Sequence, residues 1–298
     1  MPDLKQVLVT GGAGQVGTEL ARHAWPGGWE AVTLTRADLD LNDSAAIAAK
    51  VAERPWAAIV SAAAYTAVDK AEDDVVTAWT VNALSPAALA AAAKAAGIPI
   101  VHISTDYVFP GDREGEWEVD DPVAPLGVYG ASKLGGELAV RTSGARHAIV
   151  RTAWVVSAHG NNFVKTMLRV GADRPTLRVV ADQRGSPTSA ADLAAALATL
   201  TVRLVEDADA PTGTYHFSNT GPTTWHGFAE EIFRQSAPRG GPAPTVEAIG
   251  TADFPTPATR PANSLLSHRA IERDYGIRPQ PWQSALGDIL DELLGKPK

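Results

Sequence analysis

With no cysteine among its 298 residues, this chain can have no disulfide, thiolate nucleophile or thiolate metal site. Its seven histidines include no two-histidine helical zinc motif. Lysine and arginine form no run, and a formal charge of -8 repels polynucleotides, so no nucleic-acid partner is expected. No uninterrupted apolar run approaches the ~20 residues of a membrane span, and no membrane partner is expected either. Met1 to Lys5 leads into an apolar strand without the basic flank and long apolar stretch of a secretory signal, which makes a cytoplasmic location the default expectation.

What is present is an ordinary globular balance, 45% hydrophobic and 20% charged, in a chain long enough for a large core. β-prone runs at 6–10, 30–35, 57–61, 98–104 and 147–152 alternate with helical patterns at 15–24, 43–53, 75–96 (interrupted at Ser85-Pro86) and 129–141. That alternation predicts an α/β fold, a doubly wound (Rossmann) parallel sheet covered by helices on both faces. After residue 153 the pattern loosens. Helices are expected at 163–170, 190–205, 225–235 and 282–294, and short strands near 177–180 and 214–217. The division is therefore a dinucleotide-binding domain over 1–153 and a smaller α/β substrate region over 154–298, with later segments free to return to the first.

Three segments carry chemistry. Thr10 to Gly17 reads as a glycine-rich strand-to-helix turn in either of two registers, Gly11-x-x-Gly14-x-x-Gly17 or Gly12-x-Gly14-x-x-Gly17. Both let backbone approach a pyrophosphate, with the amides of Gly14, Gln15 and Val16 at the helix start as its donors. At the end of the second strand, Arg36 stands where a 2'-phosphate could bind, which favours NADPH with NADH as the alternative; a merely solvated arginine is the plainer reading. Asp40 and Leu41 are expected beside the adenine. Ala62, Ala63 and Ala64 follow the third strand as small residues that either admit a cofactor or simply pack tightly. Ser104 to Phe109 lies at the carboxyl edge of the fourth strand, where open α/β sheets bind ligands. Tyr129 and Lys133, four apart on one helix, put an ammonium beside a phenol whose ordinary pKa of ~10 is too high for neutral acid-base work. Gly135-Gly136 within that helix costs about 1 kcal/mol each against alanine, so something must approach closely there.

Taken in order, these segments resemble the extended short-chain dehydrogenase/reductase superfamily and, within it, the dTDP-4-dehydrorhamnose reductases. The likeness runs nearly end to end, through 62–72, 151–154, 160–163, 182–188, 213–216 and 260–264. It implies that Tyr129 is the proton donor, Lys133 its electrostatic partner and ribose contact, and Thr105 the hydroxyl that tunes the site. It also implies that Thr105, Asp106 and Trp154 touch the sugar of a dTDP-sugar substrate, and that Asn161, Asn162 and Arg260 contact its diphosphate or serve the structure instead. The expected reaction is NAD(P)H-dependent reduction of the C4 ketone of dTDP-4-dehydro-L-rhamnose. The alternatives are a 4-ketoreductase for another dTDP-deoxyhexose and a catalytically silent dinucleotide-binding subunit. Val156-Ser157 replaces a frequent Tyr-Gly of the family. Some members are magnesium-assisted dimers held by carboxylates; Glu19 and Glu292 would suit, but Ala191 stands where a further carboxylate is expected, with Asp192 next to it. A homodimer without a required metal is the expectation.

Overall fold

The computed structural model describes residues 4–297. Along the first half run β1 (Lys5–Thr10), α1 (Gln15–Arg22), β2 (Trp29–Leu34), α2 (Ser44–Ala52), β3 (Ala58–Ser61), α3 (Val68–Ala71), α4 (Val75–Trp79), α5 (Ser85–Ala96), β4 (Ile100–Thr105), α6 (Val128–Thr142) and β5 (His147–Thr152). The second half adds β6 (Val155–Val156), α7 (Phe163–Asp173), β7 (Thr176–Val180), β8 (Arg184–Gly185), β9 (Thr188–Ser189) and α8 (Ala190–Glu206). It ends with β10 (Gly213–His216), β11 (Thr223–Thr224), α9 (Trp225–Ser236), β12 (Thr245–Ile249), α10 (Arg269–Tyr275) and α11 (Trp282–Leu294).

Six strands form one parallel sheet in the order β2-β1-β3-β4-β5-β10. The chain reverses direction across the sheet between β1 and β3, which opens a crevice at their carboxyl ends. Side chains alternate across a strand, so β1 sends Val7 and Val9 to one core and Leu8 to the other. The first core is completed by Leu193, Leu197 and Leu200 of α8 and by Ile271 of α10. The second holds Ile47 and Val51 of α2, Leu89 and Ala93 of α5, and Val140 of α6. Both β10 and the covering helices α8 and α10 therefore come from beyond residue 153. A separate core of Val164, Leu177, Phe228, Ile232, Leu286 and Leu290 joins α7, β7, α9 and α11.

The interruption in the 75–96 helical stretch is a π turn at Thr80–Leu84, immediately before Ser85-Pro86. Pro86 is the second residue of the next helix, in the first turn where a proline is tolerated. At 22 residues and mean hydropathy 1.4, Val75–Ala96 is long and apolar enough to cross a membrane by length and composition. In the fold it lies against α2 and α6. The π turn brings the Asn82 carbonyl so near α6 that a Cβ on Gly136 would sit 2.3 Å from it, and one on Gly135 2.8 Å from the Trp79 ring. That close approach accounts for two glycines in one helix.

Candidate active site

A cavity of about 1020 Å³ opens at the carboxyl edge of the sheet, bounded on one side by the glycine turn and on the other by segments beyond residue 153. Gly11 has φ +77°, and a Cβ there would lie 2.8 Å from the Ala63 backbone; a Cβ on Gly17 would lie 2.2 Å from the Gly11 carbonyl. Gly14 caps α1 without any side-chain hydrogen bond, which leaves first-turn amides for an anion. Gly12 is crowded as well, a Cβ there lying 3.0 Å from the Thr33 side chain, so both registers fit the turn. Thr10 Oγ1 accepts from the amides of Ala62 and Ala63, both at 3.2 Å, drawing the alanine segment against the turn. Gly11, Gly14, Gln15, Val16, Gly17, Arg36, Asp40, Leu41 and Ala62 to Ala64 all line the cavity. The Asp40 carboxylate accepts from the Asn42 amide at 3.0 Å and from its side chain at 2.7 Å.

Thr105 ends β4, while Tyr129 and Lys133 stand one turn apart near the start of α6, and all three line the cavity with Asp106. Burial raises the Tyr129 phenol to about 12; hydrogen bonding with Thr105 pulls it down, and the Asp106 charge pushes it up. Burial also brings the Lys133 ammonium down to about 8, opposed by the Glu137 carboxylate. Lys133 Nζ donates to the Ile103 carbonyl at 2.6 Å. The expectation that Lys133 holds the phenol acidic is therefore corrected for this arrangement. Its ammonium serves a backbone carbonyl, and the hydroxyl of Thr105 is what favours phenolate. Thr105 Oγ1 donates to Asp106 Oδ1 at 2.9 Å.

The opposite wall is aromatic. Trp154, at φ +49°, stacks on Trp225 with centroids 3.6 Å apart and planes 15° from parallel; both line the cavity, as does Asn161. Two residues expected at the substrate do not line it. Asn162 is spent on the loop: its Oδ1 caps α7 through the Lys165 amide, while its Nδ2 donates to Gln15 Oε1 at 2.9 Å and to the Ser157 carbonyl at 2.7 Å. Arg260 is spent on Asp69, with Nη1 and Nη2 at 2.9 and 2.7 Å from the two carboxylate oxygens.

Several contacts of consequence carried no signal in the sequence. Gln15 also accepts from Ser157 Oγ at 2.8 Å, so its side chain staples the glycine turn to the loop after β6, and Ser157, one of the departures from the family pattern, takes part. Asn82, fully buried, accepts from the Tyr65 amide and donates to Ser132 Oγ at 3.0 Å, which ties the π turn to α6. Glu137 accepts from Ser104 Oγ at 2.6 Å and from two Arg151 nitrogens at 2.8 Å, cross-linking β4, α6 and β5 beneath the site. Trp225 has no neighbouring motif at all. Only a spacing rule reaching across some 70 residues would have paired it with Trp154.

Glu19, Glu292 and His159 bring ligand atoms within 4.8 Å of one another. Arg22 Nη1 stands among them, 2.7 Å from Glu292, 3.8 Å from Glu19 and in contact with His159. A guanidinium already neutralising those carboxylates does not fit a divalent cation, and no chemistry is derived through one here. Asp192 lies elsewhere, accepting from Asn219 Nδ2 at 2.6 Å and from Gln280.

The parallel sheet, glycine turn and Thr-Tyr-Lys group together define a Rossmann-type dehydrogenase/reductase. Comparison with known proteins narrows this. The model of the RmlD substrate binding domain family matches residues 5–294. A dTDP-4-dehydrorhamnose reductase of Sinorhizobium fredii is 41% identical over 290 residues, covering 97% of this chain and 98% of that protein. One from Burkholderia thailandensis is 41% identical over 298 residues, covering 98% and 100%. Among solved structures, a dTDP-4-dehydrorhamnose reductase of Bacillus anthracis in complex with NADP superposes with a TM-score of 0.89 at 36% identity, covering 97% of this chain and 99% of that one. The chain belongs to the dTDP-4-dehydrorhamnose reductase family.

Proposed function

We propose that this chain reduces the C4 ketone of dTDP-4-dehydro-L-rhamnose to dTDP-L-rhamnose, using NADPH, with NADH as a weaker alternative. The observation that carries the reading is one continuous cavity joining a dinucleotide cradle to Thr105, Tyr129 and Lys133 on one side and to the Trp154-Trp225 pair on the other. The residues fit the cofactor: a cradle at Gly11 that a Cβ would fill, uncapped amides at the start of α1, and Arg36 at the end of β2 for a 2'-phosphate. When bound, NADPH supplies the hydride that the ketone carbon takes up.

The chain's own residues handle the proton. With its pKa raised to about 12, Tyr129 holds its phenolic hydrogen at neutral pH and donates it to the C4 oxygen as negative charge develops there. Thr105 contributes a hydroxyl to the same oxygen or to the phenolate left behind. Lys133, still mostly charged at neutral pH, serves the ribose. Asp106, Trp154 and Asn161 face the sugar nucleotide, and Trp225 backs Trp154. Asn162 and Arg260 act indirectly, by holding loops. The active species is a homodimer in the cytoplasm.

The test is loss of NADPH absorbance with dTDP-4-dehydro-L-rhamnose, run against other dTDP-4-keto-deoxyhexoses. Turnover with the first substrate at a kcat/KM well above the others supports the assignment. A thermal shift with NADPH but no oxidation would identify a silent binder, and a stronger preference for another keto-sugar would reassign the substrate.

A further inference from the structure

The loop from Ser157 to Asn162 is fastened to the helix whose start receives the cofactor. Gln15 begins α1, and its side chain crosses to that loop. Its Oε1 accepts from Ser157 Oγ at 2.8 Å and from Asn162 Nδ2 at 2.9 Å, while its Nε2 donates to the Val155 carbonyl at 3.4 Å. One turn along α1, Glu19 Oε1 lies 3.1 Å from His159 Nε2. Ser157 is 2% exposed, and its hydroxyl also accepts from the His159 amide at 3.1 Å, so it closes the loop on itself as well as onto α1. Gly160 follows at φ +61°, so close that a Cβ there would lie 3.3 Å from Gln15 Cγ.

What the loop carries is the substrate wall. Gly160 and Asn161 line the cavity, and Asn162 caps α7 through the Lys165 amide. The first residue of α7, Phe163, has its ring 4.7 Å from Trp225, on which Trp154 stacks. A displaced loop would therefore move Asn161 directly and the tryptophan pair through Phe163. We infer that Ser157 is a positioning residue for the sugar nucleotide: by holding the 157–162 loop on Gln15 it couples the two walls, so that a dinucleotide on α1 strengthens binding at the facing wall. The physical basis is conformational entropy. A pyrophosphate on the amides of Gly14, Gln15 and Val16 fixes the first turn of α1, and a loop hydrogen-bonded to that turn is ordered with it. The second ligand then has less chain to immobilise. Linkage makes the gain reciprocal.

This coupling presupposes the reductase reading, and the test separates the two. Calorimetric titrations of the full chain with dTDP would be run without and with saturating NADP+, for wild type, Ser157→Ala and Asn162→Ser. The last variant keeps a capping oxygen for α7 but not the amide given to Gln15. Because dTDP has no hexose to touch the nicotinamide, a gain must travel through the protein. In the wild type, NADP+ is expected to tighten dTDP by at least about fivefold, and dTDP to tighten NADP+ by the same factor. Both variants should bring that factor below about twofold, with NADP+ alone bound as in the wild type. Hydrogen exchange in residues 157–162 should slow when NADP+ is added to the wild type and stay fast in Ser157→Ala. Wild-type dTDP affinity and loop exchange that ignore NADP+ would overturn the coupling. So would variants that bind both ligands more weakly yet keep the full wild-type factor, since that is the mark of a merely structural hydroxyl. Should Ser157→Ala not fold, the wild-type linkage and Asn162→Ser decide alone. A wild type that binds NADP+ but no dTDP in either condition defeats the reductase reading, and the coupling with it.

Discussion

The two walls of the cavity are built differently. On the side made before residue 153, contact is largely backbone: glycines that a Cβ would obstruct, helix-start amides, and small alanines drawn in by Thr10. On the far side, contact is made by side chains, and each has first to be released from or committed to a structural duty. Trp154 stays in the wall, held by Trp225, whereas Asn162 is withdrawn to the start of α7 and Arg260 to Asp69. The first kind of wall tolerates little change in shape but reads almost any dinucleotide. The second can be retuned one side chain at a time, as sugar specificity requires.

The sharpest way to break this contrast is at the chemistry itself. Tyr129→Phe should lower kcat by roughly 10²–10⁴ while leaving NADPH affinity intact, measured by turnover and by fluorescence titration. Undiminished turnover would remove the phenol from the reaction. Next in size, Gly17→Val drives a side chain into the Gly11 carbonyl, whose ideal Cβ separation is already 2.2 Å. A loss of about 1–3 kcal/mol in stability and a more than tenfold weaker NADPH complex are expected, and normal cofactor affinity would contradict the backbone-wall account.

On the other wall, Trp225→Ala removes the face on which Trp154 stacks, an interaction worth about 0.5–1.5 kcal/mol beyond its buried area. The KM for the sugar nucleotide should rise several-fold with the KM for NADPH unchanged; the reverse pattern would place this tryptophan pair against the cofactor. Smallest of all, Arg260→Gln breaks a partly exposed ion pair with side chains 22% and 42% exposed. It should cost under about 1 kcal/mol and barely move either KM. A KM for the dTDP-sugar raised a hundredfold would return Arg260 to the substrate.

Stability against pH sets buried groups of opposite sign against one another. His102 on β4 and His216 on β10 are fully buried and lie well below their ordinary pKa, and burial brings His268 down to about 4. A lowered folded-state pKa means the unfolded chain takes up protons first, so stability is lost as pH falls from about 6.5 towards 4. Asp106, raised to about 6, acts with the opposite sign: its contribution grows as pH falls from about 6 to its unfolded value of 3.8. Melting curves should therefore decline below pH ~6.5, and Asp106→Asn should steepen that decline; an acid-flat profile in the wild type would mean that the histidines charge without cost.

Much of the first wall was legible because its constraints are local. Strand-helix alternation, three glycines at fixed spacing and a Tyr-Lys pair on one helix face each depend on a few neighbouring residues. Gly135-Gly136 even announced a close approach, although not that the Asn82 carbonyl in a π turn was the approaching group. The second wall was illegible for the converse reason. Nothing near Asn162 reveals that Gln15, some 150 residues away, would compete for its amide, and nothing near Arg260 reveals Asp69.

By itself, the order of residues determined a parallel α/β sheet, a glycine turn between β1 and α1, and Tyr129 and Lys133 one turn apart on one helix, because backbone geometry and helical period act over short stretches. Only the tertiary structure decided which polar groups remained free to react. Burial and long-range hydrogen bonds set the Lys133 ammonium on a backbone carbonyl, turned the Thr105 hydroxyl onto Asp106, and withdrew Asn162 and Arg260 from the cavity wall.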